Sequence, residues 1–288
     1  MGGKELKWIA GGLLFSIIWA SAASATKIGL AAAQPLFIAV LRFGIAAFIM
    51  IIYAHLIKRY RLPKGKEWGV IAVYGVLNIS IYLGCYVFAM QEVTASIGAI
   101  ATATNPVFIS LMSVVFFNKK LSWKIFLSLF ICVFGVFCAS WPLLGYASVT
   151  LKGLLLLLLS MVSYSLGAIY ISRNKQNNLS LITINGWQTF LGGLFLLPLS
   201  IFFYQKEKNH FNLELWGGVL WLAIPVSIFA AQLWLWLLKI NPVRAGFWLF
   251  LCPLFGALIA AWLLGDAITL YTWAGILLVV IGLLFARK

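Results

Sequence analysis

The chain has 288 residues, of which 64% are hydrophobic and only 9% charged, with a mean hydropathy of +1.04. That composition excludes a soluble fold of this size, and polar interruptions of at most about ten residues leave no room for a catalytic domain outside the membrane. A net charge of +15 would suggest nucleic acid in a soluble protein, but here the charges lie between apolar stretches and set orientation in a bilayer.

Ten stretches are apolar and long enough to span: 7–30, 35–57, 68–90, 94–117, 121–141, 153–173, 181–204, 216–238, 243–264 and 269–286. Each is predicted to be helical, because lipid offers the backbone no hydrogen-bond partners. The first is too long for a signal-peptide core and is expected to be retained. Lys27 lies near its outer end, where a lysine can snorkel. Arg42 lies about seven residues into the second span, roughly 10 Å from its outer end at 1.5 Å per residue. It is expected to meet a watery cleft or helix-end carbonyls, where it could draw in a substrate carboxylate.

The third span carries Asn78, Tyr82 and Tyr86 at helical spacing on one face, and the fourth carries Gly98, Thr102 and Asn105 beside Pro106. Ser160, Tyr164 and Gly167 share a face of the sixth. Gln188 on the seventh and Gln232 on the eighth read as isolated amides without partners on their own helices. Trp248 and Cys252 share a face of the ninth, next to Pro253. Polar groups in a bilayer are costly and turn toward cavities. Asn78, Tyr82, Thr102, Asn105, Tyr164, Gln188, Gln232 and Trp248 are therefore expected to line one central space. Trp19 joins them, because such sites are walled mostly by apolar and aromatic groups. Pro106 and Pro253 each remove a mid-span hydrogen bond and are expected to kink their helices. Cys85, Cys132, Cys138 and Cys252 all fall inside apolar stretches, with neither metal-site nor disulfide spacing. No carboxylate lies mid-span, no catalytic set is present, and no glycine-rich phosphate loop exists. Neither enzyme chemistry, a metal nor a cofactor is expected. His210, in an outer loop, is expected to be solvated.

The chain also repeats itself. With an offset of 147 residues, Pro106 meets Pro253, Leu121 meets Ile268, Ser122 meets Thr269 and Gly135 meets Gly282; upstream, Trp68 faces Trp216. Two units, 1–146 and 147–288, hold five spans each, so the second must insert upside down. Inverted repeats of this kind mark secondary transporters that alternate access to one central site. Sixteen lysines and arginines fall on the side of the termini against four on the other, which predicts both termini in the cytoplasm. The run 58–66 is the strongest anchor and could also meet anionic lipid. Trp8, Trp68, Trp123, Trp216 and Trp273 sit at span ends, as interfacial residues do. Gly275 and Gly282 on the tenth span, with Ser128 and Gly135 in the equivalent places on the fifth, form small-residue faces. These would join the repeats or bind a second copy as a homo-oligomer.

With these features the sequence resembles a ten-span EamA-type carrier of the drug/metabolite transporter superfamily. The run from Leu264 to Thr269 resembles that family's Leu-Gly-Glu-x-Leu-Thr, with Asp266 in place of the usual Glu. The first unit, Phe117 to Ser122, has lost both the glycine and the acid. Leu41-Arg42-Phe43 resembles the family's second-span pattern. The resemblance implies an all-α inner-membrane permease of two inverted five-helix repeats that moves a small molecule, above all exporting amino acids. Drug efflux or uptake are the alternatives within transport; a channel or membrane scaffold are those outside it. Neither nucleic acid nor a cofactor is implied.

Overall fold

The computed structural model describes residues 3–116, 123–143, 149–174, 179–240, 248, 249 and 251–287. The first-unit motif at 117–122 and the basic residues Lys175, Arg244 and Lys288 lie outside these residues. The described chain is helical almost throughout. Helix α1 is Gly3–Ala32, and α2 is Pro35–Ile52, continued by a π-helical turn at Tyr53–Ile57. Helix α3 is Lys66–Glu92 with a π-helical stretch at Val76–Ile81. Helix α4 comes in two halves, Ala95–Thr102 and Asn105–Phe116; α5 is Trp123–Ser140, α6 Leu151–Arg173 and α7 Leu181–Phe202. Helix α8 runs through Leu213–Trp221, a π-helical Leu222–Ala230, and Ala231–Ile240. Helix α9 is Cys252–Leu264 and α10 is Leu270–Arg287.

Polar caps mark the starts. Thr150, Ser180, Asn212 and Thr269 each accept a hydrogen bond from a backbone N–H three residues on, at 3.0–3.2 Å. Helix α9 stops at Gly265, whose φ of +71° is a left-handed cap that glycine adopts without strain. Asp266 then reaches across to the other repeat, where its carboxylate accepts the Ser96 N–H at 2.9 Å in the first turn of α4. The acid of the Leu-Gly-Asp run thus caps a helix.

Both prolines behave alike. The α4 helix breaks at Ala103–Thr104 and resumes at Asn105, which puts Pro106 in the first turn of the second half. Pro253 likewise stands in the first turn of Cys252–Leu264, after a turn at Leu251. In a first turn the missing N–H costs nothing, because it would have no intrahelical partner.

The two repeats interdigitate. Helix α5 packs along α10, α2 along α7 and α4 along α9; α1 packs on α8 and α9, as α6 packs on α3 and α4. Glycines permit the closest crossings. The carbonyl of Gly75 lies 2.5 Å from where a Gly192 Cβ would stand, so α3 and α7 touch through their backbones. A Cβ on Gly282 would meet the Cys132 sulfur at 2.5 Å, and one on Gly275 the Gly135 carbonyl at 2.6 Å. The small-residue faces of α5 and α10 therefore face each other and join the repeats. Among the described residues, five uninterrupted stretches of 22–28 residues are each apolar enough to cross a bilayer. Large side chains such as Phe48, Leu56, Trp262 and Leu270 stay exposed on the outside of the bundle, as a lipid-facing surface requires.

Candidate substrate cavity

The π-helical stretches of α3 and α8 and the α3–α7 crossing frame a cavity of about 320 Å³. This is near the lower end of small-molecule sites, which span roughly 300–1,000 Å³. Helix α1 supplies Trp19, α2 supplies Arg42 and Phe43, and α3 supplies Tyr74, Asn78, Tyr82 and Tyr86. Thr102 comes from α4 and Tyr164 from α6; α7 adds Asn185, Gln188 and Thr189, and α8 adds Ser227 and Trp234. Both repeats contribute. The walls also include Ile171, Leu181 and Ile184, at the end of α6 and the start of α7. The cavity therefore extends toward the face of the bundle where α2 ends and the basic run 58–66 begins.

Arg42 is 5% exposed. Its Nε donates to the Ser227 hydroxyl at 3.1 Å, and its guanidinium stands 5.4 Å from the Phe43 ring centroid. Among the described residues it forms no ion pair; those present are Arg61–Glu67 and Lys152–Glu92, both at the ends of the bundle. The guanidinium carries five N–H donors, and among the described residues only Nε is engaged.

From Ser227 a line of amides runs across the cavity wall. Asn185 Nδ2 donates to the Ser227 carbonyl at 3.3 Å, and Gln188 Nε2 donates to Asn185 Oδ1 at 2.8 Å. Asn78 Nδ2 in turn donates to Gln188 Oε1 at 3.1 Å. The Gly75–Gly192 crossing makes the last bond, because it brings α3 and α7 together one turn away. Tyr82 stacks obliquely on Tyr164 with centroids 4.9 Å apart.

Of the residues singled out from sequence, Trp19, Arg42, Asn78, Tyr82, Thr102, Tyr164 and Gln188 share this cavity. Asn105, Gln232 and Trp248 do not line it. Asn105 is buried at 5% exposure. Gln232 lies between the lining residues Ala231 and Trp234, its Nε2 buried without a partner among the described residues. Trp248 packs on Trp8 with centroids 5.2 Å apart, over the bare backbone of Gly12. The absence of a side chain at Gly12 draws that indole into the α1 interface. Gln188 is not the isolated amide expected, since Asn185 sits three residues earlier on its own helix. That i, i+3 spacing was the available signal for Asn185, whereas Ser227, a lone hydroxyl in an apolar span, offered none. His210 is exposed and its N–H donates to the Ala32 carbonyl at 2.8 Å.

At the opposite face the loops are tied together. Gln34 exchanges bonds with Asn209 at 2.8–2.9 Å and holds the Gln205 N–H at 2.8 Å. Glu92 accepts from Thr150 and Lys152 at 2.9 and 2.8 Å. With the Asp266–Ser96 cap, these bonds join the loops at the end of the bundle away from the basic run.

The model of the EamA-like transporter family matches residues 6–141 and 151–287. An uncharacterized transporter of Archaeoglobus fulgidus is 26% identical over 280 residues, covering 96% of this chain and 97% of its own. The uncharacterized transporter YoaV of Bacillus subtilis is 24% identical over 284 residues, 96% of each chain. Protein PecM of Dickeya dadantii is 27% identical over 245 residues, covering 84% of this chain and 79% of its own. A solved protein crystal structure superposes with a TM-score of 0.64 at 17% identity, covering 97% of this chain and 96% of that one. At that identity the likeness speaks for the fold.

Proposed function

We propose, from the premise that this chain belongs to the EamA-like transporter family, that it exports a small carboxylate-bearing metabolite, above all an amino acid. The observation that carries this reading is Arg42: a buried guanidinium on the cavity wall, without a carboxylate partner among the described residues. A buried charge left unpaired is expensive, and a substrate carboxylate supplies the missing partner. The aromatic walls favour an apolar side chain on the substrate. Positive-inside counting puts both termini in the cytoplasm, and on that orientation the cavity reaches toward the cytoplasm while the outer loops are tied. Export by alternating access then requires those outer bonds to part while the inner end closes. Drug efflux and uptake remain the competing readings of the same cavity.

The test is flux per folded molecule in cells overproducing the protein, read by metabolite-resolved efflux. Arg42→Gln should lower export about tenfold or more, the scale of one lost charge-assisted hydrogen bond. Arg42→Lys should retain part of it, because the charge survives without the planar fork. Normal flux per molecule in Arg42→Gln would remove the carboxylate contact.

A further inference from the structure

Among the described residues Ser227 takes the one hydrogen bond that Arg42 makes, and the chemistry fixes its direction. A guanidinium can only donate, and a serine hydroxyl has a single proton. That proton goes to the Leu222 carbonyl at 2.9 Å. The hydroxyl therefore turns a lone pair to Arg42 Nε, at 3.1 Å. The bond to Leu222 reaches five residues back. Elsewhere in this chain Ser128, Ser140 and Ser165 bond to carbonyls four residues back, and Ser21, Ser160 and Ser172 to carbonyls three back. The difference comes from the π-helical Leu222–Ala230, with Pro225 inside it, because such a turn brings residues five apart into register. The wide turn of α8 thus sets where the Ser227 hydroxyl stands.

One bond at Nε orients the whole group. The guanidinium is a rigid plane, so fixing the direction of its Nε–H fixes that plane and both terminal nitrogens. With Nε spent on Ser227, the terminal nitrogens are what a ligand can use. They grip a carboxylate through two parallel N–H···O bonds only when it lies in their plane. Both Arg42 and Ser227 line the cavity. We infer that Ser227 is the positioning residue of the site: its hydroxyl sets the plane in which Arg42 receives a carboxylate. This rests on the carboxylate reading of Arg42 and adds that a residue of the second repeat aims a side chain of the first.

The test measures binding to the purified full-length protein in detergent by isothermal titration calorimetry. The probes are three amino acids, each with its carboxamide: alanine with alaninamide, leucine with leucinamide, and phenylalanine with phenylalaninamide. The readout is the acid-to-amide affinity ratio of the best-bound pair, which Arg42→Gln should abolish. Ser227→Ala removes the hydroxyl but keeps the carbonyl that holds Asn185, and should lower the ratio about threefold to tenfold. In an Arg42→Lys background the same change should leave the ratio unaltered, because an ammonium has no plane to hold. Ser227→Thr and Ser227→Val add the same methyl and differ in the hydroxyl, so Thr should keep a higher ratio than Val. Size-exclusion profiles verify folding, and the Thr–Val pair decides if Ser227→Ala does not fold. If Ser227→Ala keeps the wild-type ratio, or weakens acid and amide alike, while Arg42→Gln abolishes the ratio, the inference falls and the carboxylate reading stands alone. The inference also falls if Ser227→Ala lowers the ratio equally in the Arg42→Lys background, since the serine then touches the ligand itself. If the wild type shows no preference for the acid, or binds none of the six compounds, both readings fail together.

Discussion

Single residues hold the ends of this bundle in ways that can be tested one at a time. Arg61 grips Glu67 with two hydrogen bonds of 2.8 Å, and the Lys64 N–H adds a third. The Arg61 hydrogen bonds, with help from the Lys64 amide, pull the Glu67 carboxyl down from 4.5 to about 2. A depressed carboxyl stabilises the fold above its unfolded pKa and loses that contribution as pH falls through its folded one. Thermal stability at the 58–67 connection should therefore be flat above about pH 4.5 and decline between 4.5 and 2, and Glu67→Gln should remove that decline. Melting curves across this range decide it; an unchanged acid profile in Glu67→Gln would show that other groups carry it. Asp266 makes a different claim. Because its carboxylate caps α4, Asp266→Ala should cost about 0.5–2 kcal/mol, and Asp266→Glu, which keeps the charge, should cost less. Comparing the denaturant midpoints of the two variants checks the order.

Among the helices, departures from regular geometry gather around the cavity. The α3 and α8 π-helical stretches fall at corresponding depths beyond the paired Trp68 and Trp216. In α8 the cause is visible, since Pro225 cannot donate to the helix ladder. In α3 the Leu77 carbonyl accepts the Tyr82 N–H five residues on, the wide-turn bond, and takes the Ser163 hydroxyl from α6 as a second donor at 2.7 Å. The widened turns leave room for side chains to cross between helices, and Asn78 and Ser227 both sit within them. The α3–α7 crossing sets the register of the amide line. Gly192→Ala would place a Cβ 2.5 Å from the Gly75 carbonyl and the Ile79 Cβ, so the helices must part. The expected cost is about 1–3 kcal/mol. Binding should weaken in the same variant, because the Asn78–Gln188 bond is broken with the crossing. A variant that keeps both melting temperature and affinity would show that the crossing can relax without disturbing the wall.

On the scale of the whole molecule, the packing follows an exchange of repeats. Helices α5 with α10, α4 with α9 and α2 with α7 pair with their own counterparts, while the α1–α8 contact mirrors the α6–α3 contact. Such an arrangement suits a carrier, because each half can take the conformation of the other and turn the site around. The orientation in the membrane is a separate matter, and cysteine labelling tests it. In a background lacking the four native cysteines, Leu62→Cys should resist an impermeant maleimide in intact cells, and His210→Cys should react. The reverse pattern would place the termini outside.

The class of this protein was legible in its amino acids: hydropathy counts spans and the offset repeat pairs them. Both are local or summed properties that survive without knowing which helix touches which. The polar faces were partly legible as well, since Asn78 and Tyr82 on one helix face had to turn somewhere other than lipid. Which polar residues meet was decided only by tertiary packing. Gly12 leaves a hollow that takes the Trp248 indole out of the cavity, and the Gly75–Gly192 approach carries Asn78 to Gln188. The direction of the amide line comes from one carbonyl, that of Ser227, on a helix distant in sequence. A side chain's periodicity shows the face on which it lies, but the neighbour it finds depends on how closely two backbones can come.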